Sequence, residues 1–127
     1  MNILVVDDKR SVRDYIEKTL TAFGHSVSTA ANGLDGFEKA QQSPFHLYIV
    51  DHLMPLMNGV TLSKNLKQTP ACAQTPLLFM TTQEIKDLES LAEFSLFDGV
   101  IKKPLIEADF ITLVHRIIND SAIKIAL

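Results

Sequence analysis

The sequence predicts an α/β fold in which a five-stranded parallel sheet is doubly wound, with helices on both faces. Short apolar runs bounded by chain-breaking residues recur along the 127 residues, as expected of strands that are buried on both faces. Amphipathic helical patterns separate these runs, so that five strand–helix units follow one another along the chain. The length and a hydrophobic content of 46% fit one domain with a substantial core.

The first half of the chain contains three predicted strands and two predicted helices. The strands are 2–6, 26–30 and 47–51. The first helix covers about 11–23, because apolar residues recur there at helical spacing and Gly24 is a typical stop. Asn32-Gly33 is interpreted as a simple turn. The second helix ends before Pro44, and its apolar stripe is formed by Leu34, Phe37 and Ala40.

The second half contains three predicted helices and two predicted strands. The helices are indicated by residues at helical spacing: Val60, Ser63 and Leu66; then Ile85, Leu88, Leu91 and Ala92; and finally Phe110, Leu113, Val114, Ile117 and Ile118. The strands are 77–80 and 99–104, and the lysines and proline of the latter suit an edge strand. Cys72 falls in a loop and is expected to be exposed. We assign residues 1–120 to the domain and 121–127 to a tail or the end of the last helix.

Composition argues against several classes of function. The net charge of −3 provides no electrostatic footprint for direct nucleic-acid binding. No apolar run approaches the roughly 20 residues of a membrane span, and the N-terminus resembles a strand rather than a signal peptide. The single cysteine cannot form an internal disulfide, which favours a cytoplasmic location. The four histidines show no ligand spacing typical of zinc sites, and His52 is assigned a surface role.

Polar residues follow four of the five predicted strands, at the points where the strands end. They are Asp7 and Asp8 at the end of the first strand, Asp51 at the end of the third, Thr81 and Thr82 at the end of the fourth, and Lys103 near the end of the fifth. The carboxyl ends of parallel strands meet at one edge of the sheet, where open α/β sheets bind ligands. Three carboxylates there repel one another, and they suit Mg²⁺, which prefers carboxylate, water and phosphate oxygens. A lysine and a threonine hydroxyl opposite them suit a bound phosphoryl group.

Together with Pro55, Gly59 and Pro104, these residues resemble the receiver domain of bacterial two-component response regulators, of the kind found in chemotaxis regulators. The resemblance covers residues 2 to about 118 and implies a flavodoxin-like fold with strand order 2-1-3-4-5. It implies that the Lys103-Pro104 peptide bond is cis. It also implies these roles: Asp51 as phosphoacceptor; Asp8, Asp51 and the backbone carbonyl of Leu53 as Mg²⁺ ligands, with Asp7 acting through water; Thr81 as the hydroxyl that follows the phosphoryl group; and Lys103 as the family's lysine.

The resemblance further implies a signalling module rather than an enzyme. The module takes a phosphoryl group from the phosphohistidine of a sensor histidine kinase or a histidine phosphotransfer protein, and catalyses only its own phosphorylation and dephosphorylation. A downstream protein is expected to bind the face formed by the fourth helix, the last strand and the fifth helix.

Some positions depart from the family's pattern. Val100 stands where the family often has an aromatic switch residue, and Thr82 is bulkier than the usual small residue. Two lysines precede Pro104, and adjacent strand residues face opposite ways, so only one of them reaches the site. We assign that role to Lys103 and a solvated edge charge to Lys102.

Three alternative functions remain open from the residues. An aspartyl-nucleophile phosphatase of the haloacid dehalogenase type needs a second aspartate two residues after the nucleophile, where this chain has Leu53. A degenerate receiver that binds partners without phosphorylation is disfavoured by the complete set of polar residues. A Rossmann-type nucleotide-binding domain is disfavoured because no glycine-rich loop follows the first strand.

Overall fold

The computed structural model describes residues 1–126, and the side chains of residues 1–121. The strands are β1 (Asn2–Val6), β2 (Ser26–Ala30), β3 (Leu47–Asp51), β4 (Leu77–Thr81) and β5 (Gly99–Lys102). The helices are α1 (Arg10–Ala22), α2 (Gly33–Gln42), α3 (Gly59–Gln68), α4 (Ile85–Leu88) and α5 (Glu107–Ala126), and a 3₁₀ segment spans Ala92–Leu96. Most predicted boundaries agree with these to within one or two residues. No helix in the described part of the chain is long and apolar enough to cross a membrane.

The five strands form one parallel sheet in the order β2-β1-β3-β4-β5. This confirms the predicted fold class and strand order, and it places β5 at an edge of the sheet. The register pairs Val6 of β1 with Val50 of β3, so the residues that follow these two positions come out side by side. Thr81 of β4 pairs with Lys102 of β5 in the same way, which brings Lys103 to the same end of the sheet.

Each face of the sheet carries its own hydrophobic core. Alternate strand residues point to opposite faces, as the pleat requires. On one face, which we call the α1/α5 core, the buried residues include Ile3, Val5, Ile16, Leu20, Phe110 and Val114. On the other face, the α2/α3 core, they include Leu4, Val6, Tyr48, Val50, Leu62, Leu66 and Phe79. Burying each large apolar side chain stabilises the fold by roughly 1.5–3 kcal/mol, so both faces hold the sheet firmly.

The start of α2 differs from the prediction. Asn32 is not merely a turn residue, since its side-chain Oδ1 accepts a hydrogen bond from the backbone N–H of Asp35 at 2.8 Å and so caps the helix. Leu34 was expected on the buried stripe but is 54% exposed. The helix instead turns small residues to the sheet, and a Cβ on Gly36 would lie 2.7 Å from a methyl carbon of Val6. This close approach leaves no room for a leucine on that face.

The prediction of an exposed Cys72 was wrong. The side chain is fully buried in the α2/α3 core, and its Sγ lies 3.6 Å from the carbonyl oxygen of Ala40. Free cysteine behaves as a small apolar side chain, and the turn after α3 directs this one inward.

The fourth helix is shorter than predicted. It makes a single turn, and the chain then continues into the 3₁₀ segment. Apolar side chains in this stretch recur at every third residue: Ile85, Leu88, Leu91, Phe94 and Phe97. A spacing of three matches the 3₁₀ helix rather than the 3.6-residue α-helix, which explains why the α-helical conformation does not persist.

Candidate functional site

Three aspartates meet at the carboxyl ends of β1 and β3. One carboxylate oxygen from each of Asp7, Asp8 and Asp51 lies within 4.8 Å of the others. Asp7 is fully buried and Asp51 is 6% exposed, whereas Asp8 is open to solvent. The Oδ1 of Asp7 accepts a hydrogen bond from the backbone N–H of Lys9 at 2.9 Å, which fixes the carboxylate in the turn before α1. The strand ends therefore assemble a compact acidic group, as the sequence predicts.

Lys103 supplies a positive charge to this acidic group. Its Nζ lies 2.6 Å from Oδ2 of Asp7 and 2.9 Å from Oδ1 of Asp51, and its side chain is 9% exposed. Its backbone N–H donates to the carbonyl of Thr81 at 2.8 Å, and the peptide bond to Pro104 is cis. Lys102 points away and pairs with Glu84 at the surface. Of the two adjacent lysines, only Lys103 enters the site.

Burial and charge act on the protonation of this group together. Desolvation by burial raises the pKa of Asp51, the repulsion of Asp7 adds to that, and the hydrogen bond from Lys103 works against it. For Lys103, burial alone lowers the pKa, but hydrogen bonds and attraction to Asp7 and Asp51 outweigh it, so the pKa is raised. The ammonium is thus held charged, and the Asp51 carboxylate is less stable in its ionised form than in water.

Thr81 ends β4 with its side chain completely buried. Its Oγ1 accepts a hydrogen bond from the backbone N–H of Gln83 at 3.0 Å and lies 3.0 Å from Nδ1 of His52. Thr82, the next residue, is exposed. The Thr81 hydroxyl, which the sequence places near the acids, therefore already has a hydrogen-bond partner in His52, the residue after Asp51.

The surface role assigned to His52 was wrong. The ring is partly buried and packs against Phe79, with the ring centroids 5.1 Å apart. Burial lowers the pKa of His52, which favours the neutral imidazole at pH 7. A period-two count along β3 contains the signal that was missed, because residue 52 continues the face of Tyr48 and Val50, which are buried in the α2/α3 core.

The loop after Asp51 is held by main-chain contacts. The N–H of Gly59 donates to the carbonyl of His52 at 2.7 Å, and a Cβ on Gly59 would lie 2.0 Å from the carbonyl oxygen of Asp51. The Asn58 side chain caps α3 by accepting from the N–H of Thr61 at 3.0 Å. Leu53 extends its side chain into solvent and is 59% exposed. Glycine is thus required at position 59 for α3 to begin directly against the end of β3.

A family model for the response regulator receiver domain matches residues 3–115. The chain belongs to this family. Receiver domains are the phosphorylatable-aspartate signalling modules of two-component response regulators, so this receiver domain is such a module. The resemblance noted in the sequence is confirmed.

Curated relatives and solved structures agree with this assignment. The chain is 40% identical over 121 residues to response regulator RR06 of Streptococcus pneumoniae, covering 92% of this chain and 51% of the relative. It is 29% identical to the transcriptional regulatory protein CusR of Escherichia coli, covering 96% and 53%. The chemotaxis response regulator CheY4 of Vibrio cholerae has a similar structure, with a TM-score of 0.84, 30% identity and coverage of 91% and 97%. This receiver domain spans about half the length of the two curated relatives.

Proposed function

We propose that Asp51 is the phosphoacceptor of this receiver domain, and that the donor is the phosphohistidine of a sensor histidine kinase or a histidine phosphotransfer protein. The observation that carries the proposal is the contact of the Asp51 carboxylate with the ammonium of Lys103, beside Asp7 and Asp8. Burial and the Asp7 charge raise the pKa of Asp51, and a more basic carboxylate is a stronger nucleophile toward phosphorus.

In the transfer step, an Asp51 carboxylate oxygen attacks the phosphorus atom and forms a P–O bond. The P–N bond to the donor imidazole breaks, and the imidazole keeps the electron pair and takes a proton from solvent. Lys103 is placed to bind a phosphoryl oxygen, because its Nζ already lies 2.9 Å from Asp51. The Thr81 hydroxyl, at the end of the neighbouring strand, is the donor available to a second phosphoryl oxygen.

The acidic group also fits a divalent cation. Three carboxylates lie together, one of them open to solvent, and hard oxygen ligands of this kind suit Mg²⁺. The residues that would hold the ion are Asp8, Asp51 and the backbone carbonyl of Leu53, with Asp7 acting through water. When bound, Mg²⁺ neutralises the negative charge that the acids and the phosphoryl group share.

Phosphorylation of Asp51 changes the conformation of the domain, and this change is the signal that the module delivers. Autophosphorylation from small donors and autodephosphorylation are the reactions we assign to it. Its partner would dock on the face formed by α4, β5 and α5. The net charge of −3 over the 127 residues argues against direct nucleic-acid binding by this chain. Residues 121–126 form the end of α5, and residue 127 lies outside the described residues. We place the domain in the cytoplasm.

Mass spectrometry after incubation with acetyl phosphate and Mg²⁺ tests the proposal. We expect the wild-type protein to gain the mass of one phosphoryl group, and Asp51→Asn to gain none. Asp14→Asn is the matched control, since Asp14 is an exposed acid on α1 that pairs with Arg10, and it should behave as the wild type. Phosphorylation that persists in Asp51→Asn would contradict the proposed acceptor, and phosphorylation undiminished in excess EDTA would contradict the proposed cation.

A further inference from the structure

The hydrogen bonds of the Thr81 hydroxyl define the direction in which its proton points. The side chain has no exposed surface, so the hydroxyl needs a protein acceptor for its proton. Its oxygen already accepts from the N–H of Gln83. Among the residues that the structure describes, Nδ1 of His52 is the acceptor within hydrogen-bond distance, at 3.0 Å. Nδ1 can accept the hydroxyl proton when the imidazole carries its own proton on Nε2, and this tautomer satisfies the buried hydroxyl.

The His52 ring also joins the site to a row of aromatic rings. It packs on Phe79, and Phe79 stacks on Phe97 with centroids 4.1 Å apart and an interplanar angle of 8°. Phe97 meets Phe94 of the 3₁₀ segment edge-on at 6.1 Å. This row runs from the carboxyl end of β3 to the connection before β5. Val100, on β5, contributes a small aliphatic side chain to the same core.

We propose that His52 is a positioning residue that holds the Thr81 hydroxyl in the free domain and reports its release through the aromatic row. This inference rests on the proposed function of Asp51. A hydroxyl has one proton, which cannot serve His52 and a phosphoryl oxygen at the same time. When the proton turns to the phosphoryl group, Nδ1 of His52 loses its partner and the ring is freed to move against Phe79.

Two parts of the His52 side chain have separate roles: Nδ1 accepts the Thr81 proton, and the ring contacts Phe79. His52→Phe keeps a ring on Phe79 but removes the acceptor, so the Thr81 hydroxyl breaks no hydrogen bond when it turns to a phosphoryl group. His52→Asn keeps an acceptor atom at the position of Nδ1 but removes the ring. His46→Phe is the matched control, because His46 lies exposed at the opposite end of β3.

Titration with beryllofluoride in the presence of Mg²⁺, followed by NMR, provides both readouts. Beryllofluoride is used as a mimic of the acyl phosphate. We expect His52→Phe to bind it about five-fold more tightly than wild type, equivalent to about 1 kcal/mol, which is the scale of one net hydrogen bond. His52→Asn and His46→Phe should stay within about two-fold of wild type. The Phe97 ring signals should shift on binding in wild type and not in His52→Asn.

The protonation of His52 in the free domain provides an independent readout. The nitrogen chemical shifts should show a bare Nδ1 that accepts a hydrogen bond, and this pattern should change when beryllofluoride binds. A protonated Nδ1 in the free domain would overturn the inference, and so would an unchanged affinity in His52→Phe. Failure of the wild-type protein to bind beryllofluoride would instead overturn the proposed function of Asp51, so the two failures are distinct.

Discussion

Replacing Lys103 by methionine should destabilise the domain strongly, because it removes the positive charge from a buried acidic group. The ammonium contacts Asp7, which is fully buried, and Asp51, whose side chain is 9% exposed. Removing one partner of a buried ion pair typically costs about 3–5 kcal/mol. Water can approach this group from the side of Asp8, so we expect the lower end, a loss of about 3 kcal/mol in the free energy of unfolding. Methionine fills a similar volume, so a packing defect adds little.

Urea unfolding followed by circular dichroism, in EDTA at pH 7, measures this loss. Lys102→Met is the matched control, because Lys102 pairs with Glu84 at the surface, where such pairs contribute about 0–1 kcal/mol. Adding Mg²⁺ should stabilise Lys103→Met more than wild type, since the cation replaces the missing ammonium and a ligand that binds the folded state more tightly stabilises it more. Equal losses in the two lysine variants would refute the reasoning, as would a Mg²⁺ effect that is no larger in Lys103→Met than in wild type.

Three further predictions follow from the same geometry. Asp51→Asn should be more stable than wild type at pH 7. The pKa of Asp51 is raised in the folded state, so ionisation of this carboxyl opposes folding as the pH rises above 3.8. Urea unfolding should therefore show that the difference in free energy of unfolding between Asp51→Asn and wild type becomes smaller as the pH falls from 7 to 4. Gly59→Ala should lower the free energy of unfolding by about 3 kcal/mol or more, because the new Cβ meets the Asp51 carbonyl. Thermal unfolding measures this loss, and a variant about as stable as wild type would contradict it. Leu53 is exposed two residues after Asp51, and the N–H of Gln83 binds the Thr81 hydroxyl, so polar side chains at these two positions can place the hydrolytic water. Leu53→Asn with Gln83→Glu should therefore shorten the acyl phosphate lifetime about 10-fold, as timed by mass spectrometry. An unchanged or longer lifetime would show that neither position governs hydrolysis.

The strands and the acidic group could be predicted because each depends on local rules. Five apolar runs have the length and composition of buried parallel strands, and the carboxyl ends of such strands must meet at one edge. Asp7, Asp51 and Lys103 therefore come together whatever the details of the helices. The alternation of side chains along a strand showed that only one of Lys102 and Lys103 reaches the site, and the resemblance to the receiver family, whose lysine directly precedes the proline, selected Lys103.

The features that were missed depend on packing between distant segments. Cys72 is buried because the turn after α3 aims it at α2, and no local pattern shows that contact. Leu34 is exposed because Gly36 lets α2 lie directly on Val6, which is visible only once the two elements are in place. His52 was assigned a surface role, whereas its hydrogen bond to Thr81 joins positions 29 residues apart.

The two separate cores have a consequence for how such a domain can diversify. His52, Phe79, Thr81 and Val100 belong to the α2/α3 side of the sheet, whereas Ile16, Leu20, Phe110 and Val114 form the other side. A substitution on the α1/α5 side changes the total stability without touching a residue of the aromatic row. The α1/α5 core can therefore keep its residues and maintain stability, while substitutions in the α2/α3 core change how the domain responds to phosphorylation. The barrier between the two cores is a single layer of strands that are four or five residues long.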